Sequence, residues 1–197
     1  MRLVIASNNP NKSRELEYML IAQGFSPILQ SNLSIKPIVE TGKTFVENAI
    51  LKARHAAQIT CLPAIGDDSG LTVEALGRSP GIYSSRFAGP TASDQENIDK
   101  LLLAMEKTPE QLRQAKFQAV VVFLRHADDP APIISQGIWS GSIAFQPSGT
   151  NGFGYDSIFF LHQYGCTVAE LATDLKNNIS HRAMAFHELI TKIKVNA

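Results

Sequence analysis

The sequence predicts an α/β protein built on a mixed β-sheet, and three observations predict it. The first third alternates short apolar runs with amphipathic stretches, in the order strand, helix, strand, helix, strand. Residues 115–144 then read as a long strand, a turn and a returning strand, an antiparallel meander. Finally, cations and amides fall on three connecting loops, carboxylates on two, and one aromatic lies between glycines.

Bulk composition bounds the functions open to the chain. Of its 197 residues, 44% are apolar, enough for one sizeable core or one domain with two lobes. Lys+Arg and Asp+Glu both number 18, so zero net charge argues against a broad nucleic-acid or membrane surface. Polyanion binding must use a few well-placed cations. Cys61 and Cys166 are isolated, with no CxxC pair, and read as reduced thiols of a cytoplasmic protein. The N-terminal apolar run is too short for a signal peptide. No later run approaches the ~20 apolar residues that span a bilayer. A soluble, intracellular protein is expected.

Each element follows from local pattern. Residues 2–6 form a short buried strand. Ser7-Asn8-Asn9-Pro10-Asn11-Lys12 breaks it with turn formers, and a helix over 13–23 buries Leu16, Met19 and Leu20 with Glu15 and Glu17 outward. This loop lies at a helix N-terminus, where backbone N–H groups suit an anion, with Lys12 adding charge and Asn9 amide donors; plain helix capping explains Ser and Asn equally. Residues 26–35 are a second strand region. Thr44 caps a helix over 44–60, with Glu47 as its capping-box partner. That helix has a small face, Phe45, Ala49, Ala53, Ala56 and Ala57, and a basic side, Lys52, Arg54 and His55. Lys52 is a ligand candidate or a solvated helix charge. Glu40 sits in a loop beside Gly42 with no helical role.

Ala64-Ile65-Gly66 runs into Asp67 and Asp68, and Gly70-Leu71-Thr72-Val73 resumes β character. Two carboxylates at the end of a buried strand are costly unless compensated, and a metal ion with a nucleotide is the natural compensation. Residues 77–90 form a Gly/Pro/Ser-rich loop carrying Arg86. Ser93 or Asp94 caps a helix burying Ile98, Leu101, Leu102 and Met105. Asp128-Asp129-Pro130 reads as turn chemistry, and Gly137 and Gly141 mark bends in the returning strand. In Gly149–Asp156, glycines let the backbone approach a ligand, Phe153 offers a face to a base and Asp156 can read a base edge; a turn with core aromatics fits as well. Val168–Ala172 reads as a short helix. Lys176, His181 and Arg182 cluster before the last helix, capped by Ser180, as base-carbonyl or anion readers or as a solvated cationic turn.

Together these stretches resemble the inosine/xanthosine triphosphate pyrophosphatases. Ser7–Lys12 resembles the family's phosphate loop, and Glu40-Thr41-Gly42 through Thr44–Ala49 its metal-bearing loop and helix. Asp67-Asp68-Ser69-Gly70-Leu71 resembles its acidic motif, and Phe153-Gly154-Tyr155-Asp156 and Ser180-His181-Arg182 its base-recognition motifs. The match runs from residue 3 to about 190 in the same order. Ser157 stands where proline is common, and Leu175 where an acid is common.

The resemblance implies a single domain over 1–197, elongated and two-lobed. A long twisted mixed sheet is flanked by helices, with an active-site cleft between the lobes, usually in a homodimer. It implies hydrolysis of ITP, dITP and XTP to the monophosphate and pyrophosphate, with no nucleic-acid polymer and no membrane as partner. By the same resemblance Glu40 and Asp68 hold Mg²⁺, and Asp68 orients and deprotonates the water. Asp67 supports the site or binds metal through water. Ser7, Asn8, Asn9, Pro10, Asn11, Lys12, Lys52 and Ser69 hold phosphates. Phe153 stacks on the purine beside Gly154 and Tyr155. Lys176, His181 and Arg182 read the 6-carbonyl side, and Asp156 disfavours the amino groups of ATP and GTP. Two other classes stay open: a nucleotide-binding sensor, which has no need of Glu40 and Asp68, and a metal-dependent phosphatase that releases orthophosphate.

Overall fold

Strand alternation sets out the first part of the chain. In β1 (Arg2–Ala6), Leu3 and Ile5 join one apolar cluster and Val4 and Ala6 another, so both faces of the strand are covered. The computed structural model describes residues 1–195. After β1 come α1 (Pro10–Ala22), β2 (Ser26–Leu29), α2 (Phe45–Thr60), β3 (Ala64–Val73), α3 (Asp94–Ala104), β4 (Gln114–Leu124) and β5 (Ile133–Ile143). They are followed by β6 (Phe159–Leu161), β7 (Cys166–Thr167), α4 (Thr173–Ile179) and α5 (His181–Val195). The strand order is β2-β1-β3-β4-β5-β6-β7. β1 runs parallel to β2 and β3, whereas β6 runs antiparallel to β5 and β7, so the sheet is mixed. The chain is an α/β protein with a seven-stranded mixed sheet flanked by helices.

The chain divides into two compact units. The first comprises 1–68, 119–137 and 182–197. One of its clusters packs Leu16, Met19 and Leu20 of α1 and Phe186, Leu189 and Ile190 of α5 against Leu3, Ile5 and Ile65. The other packs Ala49, Ala53, Ala56 and Ala57 of α2 against Val4, Ala6 and Ala64. The alanine face lets α2 approach closely, and Gly66 is part of the same fit. A Cβ there would sit 2.2 Å from the Ala49 carbonyl oxygen and 2.9 Å from the Ala53 backbone nitrogen. The second unit comprises 69–118 and 138–181. Its cluster joins Leu71 and Val73 to Ile98 and Leu101 of α3, to Met105 just after it, and to Phe117, Trp139, Tyr155 and Phe159.

Several boundaries differ from the sequence expectation for local reasons. α1 starts at Pro10 and not at Ser13, because Asn9 is its N-cap and proline suits the first helical position. Thr44 caps α2 as expected, but the Glu47 carboxylate accepts from the Lys43 N–H and the Thr44 hydroxyl. β3 does not end at the acids; it runs through them to Val73. Residues 168–170 form a 3-10 turn, and the lead to the last helix contains a helix of its own, α4, too short to show periodicity. Asp129 is turn chemistry as read, its carboxylate accepting from the N–H groups of Arg125 and Ala131 and from the Arg125 guanidinium. No helix among the described residues is long and apolar enough to cross a membrane.

Candidate active site

β3 presents its two acids to opposite sides of the sheet. Successive strand residues alternate, so Asp68 shares the α2 side with Ala64 and Gly66, and Asp67 shares the α1/α5 side with Ile65. The adjacent carboxylates therefore do not form one pair, and each has its own cations.

On the α2 side, Lys52 Nζ donates to Asp68 Oδ1 at 2.8 Å and to Glu40 Oε1 at 3.2 Å. The second Asp68 oxygen, Oδ2, accepts from Asn48 Nδ2 at 3.3 Å. Asn48 and Lys52 are four residues apart on α2, which places both over the same carboxylate. The Asn48 amide orientation is set from its far side, where Oδ1 accepts the Gly42 N–H at 2.9 Å. Gly42 is needed there, since a Cβ would lie 2.5 Å from that oxygen. Asn48 thus ties the Glu40-Thr41-Gly42 loop to Asp68. Burial pushes the Asp68 carboxyl above the usual range, and Lys52 and Lys12 pull it back without cancelling the rise. For Lys52, burial works against the charge, but Asp68, Glu40 and Asp67 outweigh it and raise the ammonium above its ordinary value. The result is a carboxylate whose proton affinity is shifted towards neutral pH beside a lysine held charged, a setting for general-base chemistry.

On the α1/α5 side, Asp67 has a fully buried side chain and lies 3.3 Å from Lys12 Nζ and 3.6 Å from Arg182 Nε. Arg182 Nη1 also pairs with Glu15. Glu15 is accordingly not an outward helix charge, as its spacing suggests, but the counter-ion of a buried arginine. Burial lowers the Lys12 ammonium below its ordinary value, with Asp67 countering it.

The loop at the start of α1 is held by its own polar groups. Asn9 Oδ1 accepts from the N–H groups of Asn11 and Lys12 at 3.0 and 3.1 Å, the donors that an anion at this helix end would use. Ser7 is buried, and its Oγ accepts the Asn9 N–H at 3.3 Å. Asn8 Oδ1 accepts from Gln30 Nε2, and Pro10 and Asn11 lie in the first turn of α1. The capping explanation of this loop is therefore correct for Asn9, and of these residues only Lys12 brings a cation to Asp67. Ser69 follows Asp68 in β3.

A second set lies in the other unit. Asp156 Oδ2 accepts the Phe153 N–H at 2.9 Å and Lys176 Nζ at 2.7 Å. Gly152 has φ +82°, and a Cβ on it would come within 2.0 Å of that carboxylate oxygen. Asp156 is 4% exposed and holds the loop through these bonds. Lys176 Nζ stands 4.5 Å from the Phe153 ring centroid. Gly154 N–H donates to Asp94 Oδ2 at 2.7 Å, and the Tyr155 hydroxyl to the Ser84 carbonyl at 2.8 Å. Burial, with Asp94 adding, pushes the Tyr155 phenol up, so it stays a neutral donor. His181 is buried with its ring stacked on Phe117, centroids 4.8 Å apart and planes 12° apart. Each residue of the expected cluster of Lys176, His181 and Arg182 has contacts of its own. Lys176 keeps company with Asp156 and Phe153, His181 with aromatics, and Arg182 with Asp67 and Glu15 in the first unit.

The sequence pattern gives Asn48 and Glu15 no place of their own in the site and offers Asp94 only as a helix cap. Asn48 is legible as a polar residue on the alanine face of α2, one turn before Lys52. Glu15, three residues beyond Lys12, carries no comparable signal until Arg182 is placed beside it.

The Ham1 family profile matches residues 3–192. The dITP/XTP pyrophosphatase of Pectobacterium atrosepticum is 53% identical over 193 residues, 98% of each chain, and that of Escherichia coli K12 is 50% identical over the same share. A HAM1 protein structure from Coxiella burnetii superposes with a TM-score of 0.91 at 46% identity over the whole of both chains. The Staphylococcus aureus Ham1 protein gives a TM-score of 0.88 at 38% identity, again over both whole chains. The chain belongs to the Ham1 family.

Proposed function

We propose that this protein hydrolyses deaminated purine nucleoside triphosphates, ITP, dITP and XTP, to the monophosphate and pyrophosphate, and so cleanses the nucleotide pool. The observation that carries the reaction is the Glu40–Lys52–Asp68 cluster fixed by Asn48. Its full-length likeness to proteins named dITP/XTP pyrophosphatases supports the substrate class.

Among the described residues, no group of three or more His, Cys, Asp or Glu side chains is gathered as a metal cage. Glu40 and Asp68 instead offer two hard oxygen donors that converge on one ammonium. That donor set suits Mg²⁺, which takes one or two carboxylates and completes its shell with water and substrate phosphates. Glu40 and Asp68 are the residues that would hold it. When bound, Mg²⁺ neutralises phosphate charge as pyrophosphate departs.

Asp68 accepts a proton from the attacking water, whose oxygen bonds to the α-phosphorus. The bond from that phosphorus to the α–β bridging oxygen breaks, and the electron pair leaves with pyrophosphate. Lys52 holds Asp68 in place and supplies positive charge next to the developing oxyanion. Lys12 brings a second cation, and Asp67 and Arg182 support it from the far side of β3. Phe153 offers its ring to the purine, with Lys176 as the donor for the 6-carbonyl. An amino group at that position meets a donor where it needs an acceptor, which costs ~1–3 kcal/mol and gives about tenfold to a hundredfold discrimination. The enzyme acts as a cytoplasmic homodimer in this reading; sedimentation as a single 21.5 kDa chain contradicts the dimer. Measuring kcat/KM for ITP, XTP, GTP and ATP tests the substrate class. ITP and XTP should exceed ATP, which has an amino group in place of the 6-carbonyl, by at least tenfold, and equal values for all four would sink the proposal.

A further inference from the structure

We propose that Asp94 is a positioning residue for the aromatic loop: its carboxylate, reaching from the start of α3, fixes the backbone beside Phe153. The inference rests on the reading of Phe153 as the purine platform.

The loop cannot fix itself. Phe153 lies between Gly152 at φ +82° and Gly154 at φ +60°, two residues whose backbones move easily between wells. A Cβ at Gly154 would meet no atom within 4 Å, so packing does not confine it either. At the pair itself, two consecutive backbone N–H groups are taken by two carboxylates. Phe153 N–H is taken by Asp156 of the same loop at 2.9 Å, and Gly154 N–H by Asp94 Oδ2 at 2.7 Å. The first bond closes a turn of three residues. The second joins residues 60 apart in sequence and ties the loop to α3, beside the ties from Asn151 to the Ala169 and Leu171 carbonyls, from Tyr155 to the Ser84 carbonyl and from Asp156 to Lys176. It is short and accepted by a charge, the stronger class of hydrogen bond.

α3 is a firm support. Ser93 and Glu96 close a capping box at its start, Ile98 and Leu101 are buried, and Asn97 holds the neighbouring 85–88 segment through Ala88 N–H and the Ser85 carbonyl. Asp94 itself is exposed and carries none of that packing. It is therefore not needed for the helix cap, which Ser93 supplies, and its bond to Gly154 is its distinguishing contact. An aromatic that must stack on a ligand gains when its backbone is ordered beforehand, because the ordering cost is not met at binding.

The test uses the full chain carrying Asp94→Ala, Asp94→Asn or Phe153→Ala. Without nucleotide, Asp94→Ala should speed amide exchange in 149–156 by roughly tenfold, while α3 exchanges as before. With ITP, Asp94→Ala should raise KM by about threefold to tenfold at unchanged kcat. Asp94→Asn, which keeps an acceptor oxygen, should restore most of both. Unchanged exchange in 149–156 overturns the proposal, as does a fall in kcat and melting temperature with KM constant, the mark of a merely structural residue. If Phe153→Ala raises KM and Asp94→Ala does not, Asp94 is not a positioning residue. If Phe153→Ala leaves KM unchanged while exchange responds to Asp94→Ala, the purine platform fails and the anchoring stands.

Discussion

Replacing Asp68 with asparagine removes one charge and almost no volume, and the structure allows its two consequences to be separated. The first is chemical. Asparagine cannot take the proton of the attacking water, and a positioned general base contributes roughly 10²–10⁴-fold. The second is structural. Both Asp68 oxygens face donors, Lys52 Nζ on Oδ1 and Asn48 Nδ2 on Oδ2. Asn48 cannot turn to help, because its own oxygen accepts from Gly42 N–H. The new amide therefore sets an NH₂ against one donor, at a cost of about 1–3 kcal/mol for the unmatched buried group. Relief of a buried carboxylate offsets part of this, so the net loss is about 1–2 kcal/mol, or roughly 2–8 °C for a chain of this size. Nucleotide hydrolysis and thermal unfolding of the same preparation measure both. The expected variant is folded, slightly less stable and at least a hundredfold slower. A rate within tenfold of the parent protein would refute the assignment of Asp68 as the base, whatever the stability.

Three further expectations follow from the same contacts. Gly66→Ala places a methyl 2.2 Å from a backbone oxygen of α2, so urea unfolding should show a loss above ~3 kcal/mol; an unchanged midpoint contradicts the close packing of α2 on β3. Glu40→Gln leaves Lys52 and Asp68 paired but withdraws one hard donor, so the Mg²⁺ concentration for half-maximal activity should rise about tenfold, and chelation should abolish activity in both proteins; activity that persists in excess chelator argues against a metal. Burial works to raise the Asp129 carboxyl, but the N–H groups of Arg125 and Ala131 and the Arg125 guanidinium hold it below its ordinary 3.8. Its stabilisation is complete above that ordinary value and is lost as pH falls through the lower folded value. Urea midpoints from pH 7 to pH 2 should thus drop less steeply below pH 4 for Asp129→Asn, and parallel curves would contradict this.

Much of the fold is written in local pattern. The alternation of Leu3 and Ile5 against Val4 and Ala6, the alanine face of α2 and the Ser93–Glu96 cap all follow from neighbouring residues, and all are present. What local pattern misreads is the acidic pair. Asp67-Asp68 looks like the polar end of a strand, because hydropathy alone cannot know that cations wait on both faces. Lys12 and Arg182 on one side, and Lys52 on the other, let β3 continue through the charges. The same blindness to distant partners makes Glu15 read as an outward charge. The pairing of Arg182 with Glu15 spans 167 positions of sequence. Asn9 is the opposite case: its strictly local capping bonds are legible in neighbouring residues, and they are present.

The central claim is that water attacks the α-phosphorus at Asp68, so the bond broken lies between the α- and β-phosphates. Identifying the products of ITP turnover with Mg²⁺ tests it most directly. In isotopically labelled water, IMP and pyrophosphate should form in equal amounts from the first turnover with the label in IMP; label in pyrophosphate, the mark of attack at the β-phosphorus, would contradict it. Orthophosphate with IDP would contradict it.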